Sequence, residues 1–338
     1  MTTINDVAKL AGVSKSSVSR VINGNFEHMA NETRDKILSA MKELDYTPNS
    51  LAQSLKKKTT KTIGIILSDI SNPFWSEVLK GVQNECMRMG YGLMVSSSGE
   101  DEIIEKENIL TLRNKQVDGL VINTTGRNTE LFNNLVEEKY PFVLLDRSSD
   151  VSNIDTVIVN NILGAKMSIQ HLVDQGHRRI GILLYPPGNK SPRIDRLQGY
   201  KECLQLNGIE IDDDLIKICE NKTGSGVAAT KELLSLTNYP TAIFSTNTIL
   251  NLEVIMGVKK VGLKVPEDVS VIGYDDYPWV PLLDPPLTTV SQPAYELGVK
   301  STELLIKKMK RKRQPKPQTI QLEPELMIRR SCLPPINQ

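Results

Sequence analysis

Carboxylates, amides, arginines and aromatic rings recur just after short apolar runs in the C-terminal part of this 338-residue chain. Carboxylates, amides and guanidinium groups match the hydroxyl groups of sugars, and an aromatic pair can stack on a ring. This set predicts a site for a sugar or sugar-like ligand. The alternative is that about half of these side chains cap helices or connect two lobes of the protein, and Asp and Ser after strands often act as such caps. The candidates are Asp69, Phe74, Trp75, Asp146, Arg147, Arg193, Arg196, Asn247 and Asp275.

A second polar group lies near the N-terminus, on a helix predicted over about 15–23. Its apolar stripe contains Val18 and Val21, and no acidic residue occurs between Ser14 and Asn23. Such a helix can enter the DNA major groove without repelling phosphate, and an arginine there can pair bidentately with guanine. A small helical bundle with a solvated polar face is the alternative. The candidate DNA contacts on this helix are Lys15, Ser16, Ser17, Arg20 and Asn23.

Two more predicted helices position that candidate recognition helix. Over 4–11 the apolar residues fall on one face, with Thr3 as the N-cap and Gly12 able to end the helix in the left-handed conformation. A third helix is predicted over about 31–45. Two short helices joined by a tight turn and braced by a third are typical of a helix-turn-helix unit, so we assign 1–47 to an all-α DNA-binding domain.

The segment 48–61 is predicted to be a hinge helix and linker. Asn49 can cap two helical turns that present Leu51 and Leu55 on one face, before a run of lysines that starts at Lys56. An isolated helix this short is unstable in water, so its leucines need a partner, which a second copy over DNA would supply. A solvated linker is the alternative. We expect DNA contacts from Asn49, Leu55 and Lys56.

From Thr62 onward, apolar runs such as Ile63–Leu67 and Ile180–Leu184 alternate with helical stretches. This alternation predicts parallel sheets covered on both faces, and the segment is too long for one comfortable core. In such sheets ligands bind beyond the carboxyl ends of the strands, where the candidate ligand residues fall. We therefore assign 62–338 to an α/β domain of two lobes, the first about 62–160 and 293–320 and the second about 161–290 and 321–332.

Composition excludes several classes of protein. With 39% apolar and 24% charged residues, the chain is neither disordered nor fibrous. Ten Lys/Arg and six Asp/Glu in 1–61 make a basic head, against 31 and 34 in the rest. No signal peptide or membrane span is recognisable, so we expect a cytoplasmic protein. Four scattered cysteines suggest no disulfide framework or zinc site, and we predict no metal or cofactor.

The stretch TINDVAKLAGVSKSSVSRVING, followed by ETRDKILSAMKELDYTPNSLAQSLKKKTTKTIGIILSDISNPFW, resembles the lactose/galactose repressor (LacI/GalR) family of bacterial transcription factors. The resemblance continues to the end of the chain. It implies that Lys15, Ser16 and Arg20 read the major groove and that Asn23 lies near the DNA backbone. It also implies that Leu55 wedges between base steps in the minor groove, where such wedges bend the duplex.

The same resemblance implies a body similar to periplasmic sugar-binding proteins, with two lobes that close on an effector. Phe74 and Trp75 match aromatic positions at the pocket edge, and Asp146 matches an acidic pocket residue. Arg196 matches an arginine that grips hydroxyls or carboxylates. Contacts from the second lobe are implied for Asn247 and Asp275.

One departure from the family pattern bears on the ligand. The family usually has Asn-Asp after a later strand, whereas this chain has Asn247-Thr248. With one acid fewer and Arg147, Arg193 and Arg196 nearby, we hypothesise an acidic sugar effector, such as a uronate breakdown product or a keto-deoxy sugar acid. We predict a homodimeric repressor that binds a pseudo-palindromic operator and is released by this effector.

Other functions are less consistent with the sequence. A glycoside hydrolase needs two carboxylates facing one bond, which sequence alone does not establish, and an attached DNA reader argues against an enzyme. A solute-binding or carbohydrate-active module with a basic head is the second hypothesis. The run Lys307–Lys312 is read as a solvated helix end rather than a second DNA contact. We expect no tetramer, because no heptad repeat follows Arg330.

Overall fold

The computed structural model describes residues 2–27, 29–47, 59–310 and 316–335. The chain divides into two compact units, Met1–Thr60 and Lys61–Gln338. The predicted hinge helix and the predicted DNA contacts Asn49, Leu55 and Lys56 lie outside the described residues. No helix within the described ranges is long and apolar enough to cross a membrane.

The first unit contains the three predicted helices, α1 (Ile4–Leu10), α2 (Lys15–Ile22) and α3 (Asn31–Glu43). Thr3 begins α1 with a capping box, since its hydroxyl accepts from the N–H of Asp6 and the carboxylate of Asp6 accepts from Thr3. The small core joins apolar residues of all three helices: Val7, Ala8, Val18, Val21, Ile37 and Ala40.

All three helices end one or two residues before the predicted boundaries. Ala11 and Asn23 are the C-caps of α1 and α2 rather than helical residues. Helix α3 ends at Glu43 because Asp45 adopts a left-handed backbone with φ of 45°. Gly12 also has a left-handed backbone, with φ of 66°, as its place between two helices predicts.

The second unit forms two lobes, each built around a six-stranded sheet of the described residues. The first lobe comprises β1 (Thr62–Leu67), α4 (Pro73–Arg88), β2 (Gly92–Ser97), α5 (Glu102–Asn114), β3 (Gly119–Ile122), α6 (Thr129–Glu137), β4 (Phe142–Leu145), β5 (Asp155–Val159), α11 (Ala294–Lys310) and β11 (Thr319–Leu322). Its strand order is β11-β5-β4-β3-β1-β2, and all its neighbouring strands are parallel.

The second lobe repeats this arrangement. It comprises α7 (Asn161–Asp174), β6 (Ile180–Leu184), α8 (Ser191–Leu206), β7 (Ile216–Ile218), α9 (Ser225–Leu234), β8 (Ala242–Ser245), α10 (Thr248–Lys260), β9 (Ser270–Tyr274), β10 (Thr288–Ser291) and β12 (Glu325–Met327). The order is β12-β10-β9-β8-β6-β7, in which only the β10–β12 pair is antiparallel among the described strands. Each strand of the second sheet therefore has a counterpart in the first.

The central strands are buried on both faces, as their continuous apolar runs predict. In β1, Ile63, Ile65 and Leu67 pack on the side of α4 and α11, whereas Ile66 faces the core on the other side of the sheet. This alternation follows from the two-residue period of a strand. The sheets are thus held rigidly between helical layers, and their carboxyl ends present fixed loops.

Two details differ from the sequence-based boundaries. Residues 321–322 belong to the first lobe, because Gln321 and Leu322 pair with Ile158 and Val159 in the first sheet. The second lobe resumes only with β12. In the run Lys307–Lys312, Lys308 is not solvated, because its side chain is 12% exposed and lies 2.7 Å from the carboxylate of Asp155.

Candidate functional site

Helix α2 presents a polar face to solvent, and Ser14 caps the N-terminus of this helix. The Ser14 hydroxyl accepts from the N–H of Ser17 at 3.2 Å, and it lies 2.7 Å from the hydroxyl of Ser16. Val18 and Val21 are buried, which turns the opposite face outward. The exposed side chains of that face include Lys15 and Arg20.

The charge of this face is uncompensated within the described residues. Helix α2 contains no acidic residue, and neither Lys15 nor Arg20 forms an ion pair with another described side chain. Asn23 braces the end of the helix, because its amide donates to the carbonyl of Ser19 at 2.6 Å. A short cationic helix face without nearby carboxylates is suited to DNA, and the base contacts stay predictions.

In the second unit, the nine predicted ligand residues line one cavity between the two lobes, with a volume of about 110 Å³. They converge because each of them follows the carboxyl end of a parallel strand or lies in the first two turns of the helix after it. From the first lobe come Asp69, Phe74, Trp75, Asp146 and Arg147, and from the second come Arg193, Arg196, Asn247 and Asp275.

The carboxylates of Asp146 and Asp275 occupy equivalent positions in the two lobes. Asp146 directly follows β4, and Asp275 directly follows the corresponding strand β9. Both have a left-handed backbone, with φ of 65° and 76°. Each donates its N–H to a carbonyl of the neighbouring strand, Val157 at 2.7 Å and Val290 at 2.8 Å. This shared turn aims one carboxylate from each lobe into the cleft.

The surroundings of Asp146 leave its carboxylate with few partners. It is 6% exposed, and among the described residues its side-chain oxygens accept a hydrogen bond from the amide of Asn123, at 3.4 Å. Burial raises the pKa of Asp146 to about 6, although Arg147 and Arg196 act in the opposite direction. A buried carboxylate of this kind gains most from a ligand that donates hydrogen bonds.

The carboxylate of Asp275 is already supplied with donors. Thr248 donates to it at 2.9 Å and the amide of Gln292 at 2.6 Å. Thr248 is the residue at which the sequence departs from the family pattern, and it places a hydroxyl donor where a second carboxylate would repel Asp275. The departure thus removes a negative charge and completes the hydrogen bonding of Asp275.

Arg196 lies on α8 and is held in one orientation. Its Nε donates to Asn161 at 2.8 Å and its Nη1 donates to the carbonyl of Thr246 at 2.6 Å. The guanidinium also lies 3.7 Å from the ring centroid of Tyr274. No described residue accepts a hydrogen bond from Nη2, so this edge of the fork is available to a ligand.

The aromatic pair at the cavity is firmly packed. Phe74 and Trp75 are 6% and 4% exposed, and their rings meet edge to face with centroids 4.9 Å apart. Both side chains belong to the core of the first lobe as well as to the cavity wall. They therefore form a rigid apolar surface rather than a mobile edge.

Asp69 and Asn247 have the local roles that the alternative interpretation foresaw. Asp69 accepts from the backbone and hydroxyl of Ser71, at 2.9 and 2.6 Å. Asn247 caps α10 by accepting from the N–H groups of Ile249 and Leu250, both at 3.0 Å. Both residues line the cavity while holding the turns that shape it.

Arg147 is engaged by a residue that sequence reasoning missed. Its guanidinium donates to both carboxylate oxygens of Glu100, at 2.6 and 3.2 Å. Glu100 also lies 2.8 Å from Lys190 and 3.7 Å from Arg193, both from the second lobe. Burial alone raises the pKa of Glu100, but the charges and hydrogen bonds of Arg147 and Lys190 outweigh it and hold that pKa at about 2.

This cluster shows how Arg147 is held. Its two Nη groups donate to the carboxylate of Glu100, which orients the guanidinium, and a contact of Arg147 with an effector stays a prediction. Glu100 and Lys190 both line the cavity, together with Tyr185 and Asn221, which sequence reasoning also omitted. Their positions in the sequence could have identified two of them as cavity residues, because Glu100 follows the end of β2 and Lys190 directly precedes α8.

The two lobes touch across the mouth of the cavity. The N–H of Ser148 donates to the hydroxyl of Ser191 at 3.1 Å, and Asn189 donates to the carbonyl of Gly126 at 3.3 Å. Together with the ion pair between Glu100 and Lys190, these contacts join the two lobes at the mouth of the cleft. The arrangement suits binding and enclosure of a small polar molecule.

Comparisons with known proteins agree with this geometry. The family model "Bacterial regulatory proteins, lacI family" matches residues 3–49, and "Periplasmic binding proteins and sugar binding domain of LacI family" matches 60–329. The chain is 36% identical to the probable HTH-type transcriptional regulator EndR of Paenibacillus polymyxa, over 93% of this chain and 92% of that protein. It is also 36% identical to the ribose operon repressor of Haemophilus influenzae, over 98% of each. A structure of the lac repressor dimer bound to operator and the anti-inducer ONPF superposes with a TM-score of 0.88, at 29% identity, over 98% of this chain and 99% of that one.

Proposed function

We propose, from the premise that this chain belongs to the LacI family of bacterial regulatory proteins, that it represses genes of carbohydrate catabolism and is released from DNA by a small effector. Membership makes the chain a DNA-binding transcriptional regulator rather than an enzyme. The observation that carries the finer proposal is the cavity between the lobes, which collects Asp146, Asp275 and the free edge of Arg196 around one small space.

The DNA reader in this proposal is α2. Arg20 and Lys15 supply uncompensated positive charge, and Ser16 and Ser17 are short enough to let the helix approach base edges. Leu55, which lies outside the described residues, is proposed as the minor-groove wedge. A protein with this task acts in the cytoplasm, where the operator is.

The proposed assembly is a homodimer, because one reader covers only a few base pairs and a two-fold pair demands a pseudo-palindromic operator. Exposed apolar side chains on both lobes support it. They occur on α4 and the edge strand β2 in the first lobe and on α10 and the short 3₁₀ helix Val280–Leu282 in the second: Met87, Met94, Val95, Leu252, Met256 and Leu282. Replacing Met94 and Leu282 with glutamate should yield monomers in light scattering and weaken operator binding.

The proposed effector is a sugar or sugar acid of about monosaccharide size. The cavity volume of about 110 Å³ is smaller than that of pockets which bind larger ligands. The carboxylates and the free guanidinium edge that line it can form hydrogen bonds with hydroxyl groups. The ribose operon repressor of Haemophilus influenzae supports a carbohydrate-related role by similarity. Closure of the lobes on the effector would alter the spacing of the two readers, with a coupling of about 1–3 kcal/mol, typical of allosteric proteins.

A fluorescence-anisotropy titration on a pseudo-palindromic operator from upstream of the gene, repeated with sugars and sugar acids, tests this proposal. We expect one compound to weaken operator binding at least about tenfold. Arg196→Ala should remove that response, and Arg20→Ala and Leu55→Ala should weaken operator binding itself. The exposed Lys264→Gln variant is the matched control and should behave as wild type. Absence of operator binding by the wild-type protein would refute the proposal.

A further inference from the structure

The mouth of the cleft carries more positive than negative charge. Arg147, Lys190 and Arg193 all face the single carboxylate of Glu100, which leaves a surplus of two positive charges in the cluster. The four side chains are between 7% and 21% exposed, so water screens them only partly. Such a surplus is unfavourable unless another anion joins it.

Glu100 pairs with Lys190 but leaves part of the hydrogen-bonding capacity of the two cations of the second lobe unused. Arg147 uses both oxygens of Glu100, and Arg193 lies 3.7 Å from it, beyond hydrogen-bond range. Nη1 of Arg193 donates to the carbonyl of Pro186 at 3.0 Å, while its Nη2 and Nε find no acceptor among the described residues. Lys190 has three protons and pairs with one carboxylate.

The remaining carboxylates of the cavity do not fill this gap. Asp69 is occupied by Ser71, and Asp275 by Thr248 and Gln292. Within the described part of the chain, neither these acids nor Asp146 forms an ion pair with Lys190 or Arg193. Burial and neighbouring cations lower the pKa of both Lys190 and Arg193, while Glu100 acts in the opposite direction. The missing ion pairs and the lowered pKa values both indicate that one more anion would bind favourably beside Lys190 and Arg193.

We infer that the effector is a sugar acid whose carboxylate binds between Lys190 and Arg193, while its hydroxyls face Asp146, Asp275 and Arg196. This inference rests on the proposed function, because it names the chemical class that the regulatory cavity takes. Planar carboxylates pair well with the fork of an arginine, and the added charge halves the positive surplus of the cluster.

The same anion would also favour closure of the cleft. Arg147 belongs to the first lobe, and Lys190 and Arg193 belong to the second, so their mutual repulsion opposes closure. A carboxylate bound among them weakens that repulsion and adds contacts to the second lobe. A neutral sugar of the same shape has hydroxyls for Asp146 and Arg196 but leaves the repulsion in place. The structure therefore assigns selectivity between sugar acid and sugar to Lys190 and Arg193.

Calorimetric titration with matched pairs at constant ionic strength tests this inference. The probes are D-galacturonate with D-galactose, D-glucuronate with D-glucose, and D-glycerate with glycerol. For the wild-type protein, we expect at least one carboxylate to bind with a Kd at least about tenfold below that of its neutral partner, the gain of about one charge-assisted hydrogen bond. In Lys190→Gln and Arg193→Gln, the preference should fall to within about threefold, whereas Lys264→Gln should retain it.

Two results would overturn the inference: no carboxylate of the panel binding better than its neutral partner, or a preference that survives in both variants. The first comparison uses only the wild-type protein, so it does not depend on the folding of a variant. Operator binding by the wild type is measured separately. Its absence would refute the proposed regulator, whereas a missing carboxylate preference beside intact operator binding would refute only the sugar-acid site.

Discussion

The two lobes have the same backbone arrangement but differ in the hydrogen-bond donors that surround the carboxylate each lobe places in the cleft. Asp146 and Asp275 follow equivalent strands with the same left-handed turn. Asp275 receives hydrogen bonds from Thr248 and Gln292, whereas within the described residues the carboxylate of Asp146 receives one from the more distant amide of Asn123. The repeated fold therefore places two equivalent carboxylates in the cleft. Neighbouring donors satisfy the carboxylate of Asp275, whereas the carboxylate of Asp146 can accept further hydrogen bonds from a ligand.

The residues that follow these aspartates differ in the same way. After Asp275, Asp276 forms a bidentate pair with Arg329, at 2.7 and 2.9 Å, entirely within the second lobe. After Asp146, Arg147 pairs with Glu100, which also reaches cations of the other lobe. The second lobe thus has an internal ion pair where the first lobe has an ion cluster that spans the cleft. Conformational response to a ligand is expected from the spanning cluster.

The largest effect should come from removing the carboxylate of that cluster. Glu100→Gln leaves three cations without a counter-charge and should destabilise the protein by about 3–5 kcal/mol, whereas Asp276→Asn strands one cation and should cost about 2 kcal/mol. Urea unfolding at pH 7 measures both. Because the pKa of Glu100 is depressed from 4.5 to about 2, the cost of Glu100→Gln should be full above pH 4.5 and shrink as the pH falls towards 2. Equal costs for the two variants would remove the distinction between the lobes.

The two equivalent aspartates should respond to amidation with opposite signs. The pKa of Asp146 is raised from 3.8 to about 6, so the burial of this carboxyl costs stability that grows from pH 3.8 and is full above pH 6, and Asp146→Asn should gain about 2 kcal/mol at pH 8. Asp275→Asn loses its charge-assisted bonds from Thr248 and Gln292 and should lose about 2 kcal/mol.

Urea unfolding at pH 8 and pH 5 checks this pair of variants. The gain from Asp146→Asn should fall to about half at pH 5 and vanish below pH 3.8, because the carboxyl ionises above 3.8 in the unfolded chain but only near 6 in the folded protein. A loss of stability in Asp146→Asn at pH 8 would contradict the view that this carboxylate lacks partners.

The smallest effect concerns the hydroxyl that completes Asp275. Thr248→Val keeps the shape of the side chain but removes the donor to Asp275, and should cost about 1 kcal/mol. Thr237→Val, at an exposed position of the same lobe, is the control and should change stability by less than about 0.5 kcal/mol. Thermal and urea unfolding provide the comparison. Identical results for the two valine variants would show that Asp275 does not depend on Thr248.

Much of the cleft was predictable because of one geometric rule. Parallel strands deliver their carboxyl ends to a common edge, so polar residues just after apolar runs converge whichever strands are neighbours. All nine predicted ligand residues line the cavity for this reason. The helix starts in the head were equally accessible, since caps such as Thr3 and Ser14 act on residues three positions away.

The sequence was enough to establish the classes of element, the head with its cationic helix and the candidate residues of the cleft, because local periodicity and capping encode them. Only the tertiary structure decided which of those residues are already occupied. The pairing of Arg147 with Glu100, and of Glu100 with Lys190 across the lobes, depends on loops that are distant along the chain. Likewise, the donor from Thr248 to Asp275 arises from the packing of α10 beside β9, which no spacing in the sequence expresses.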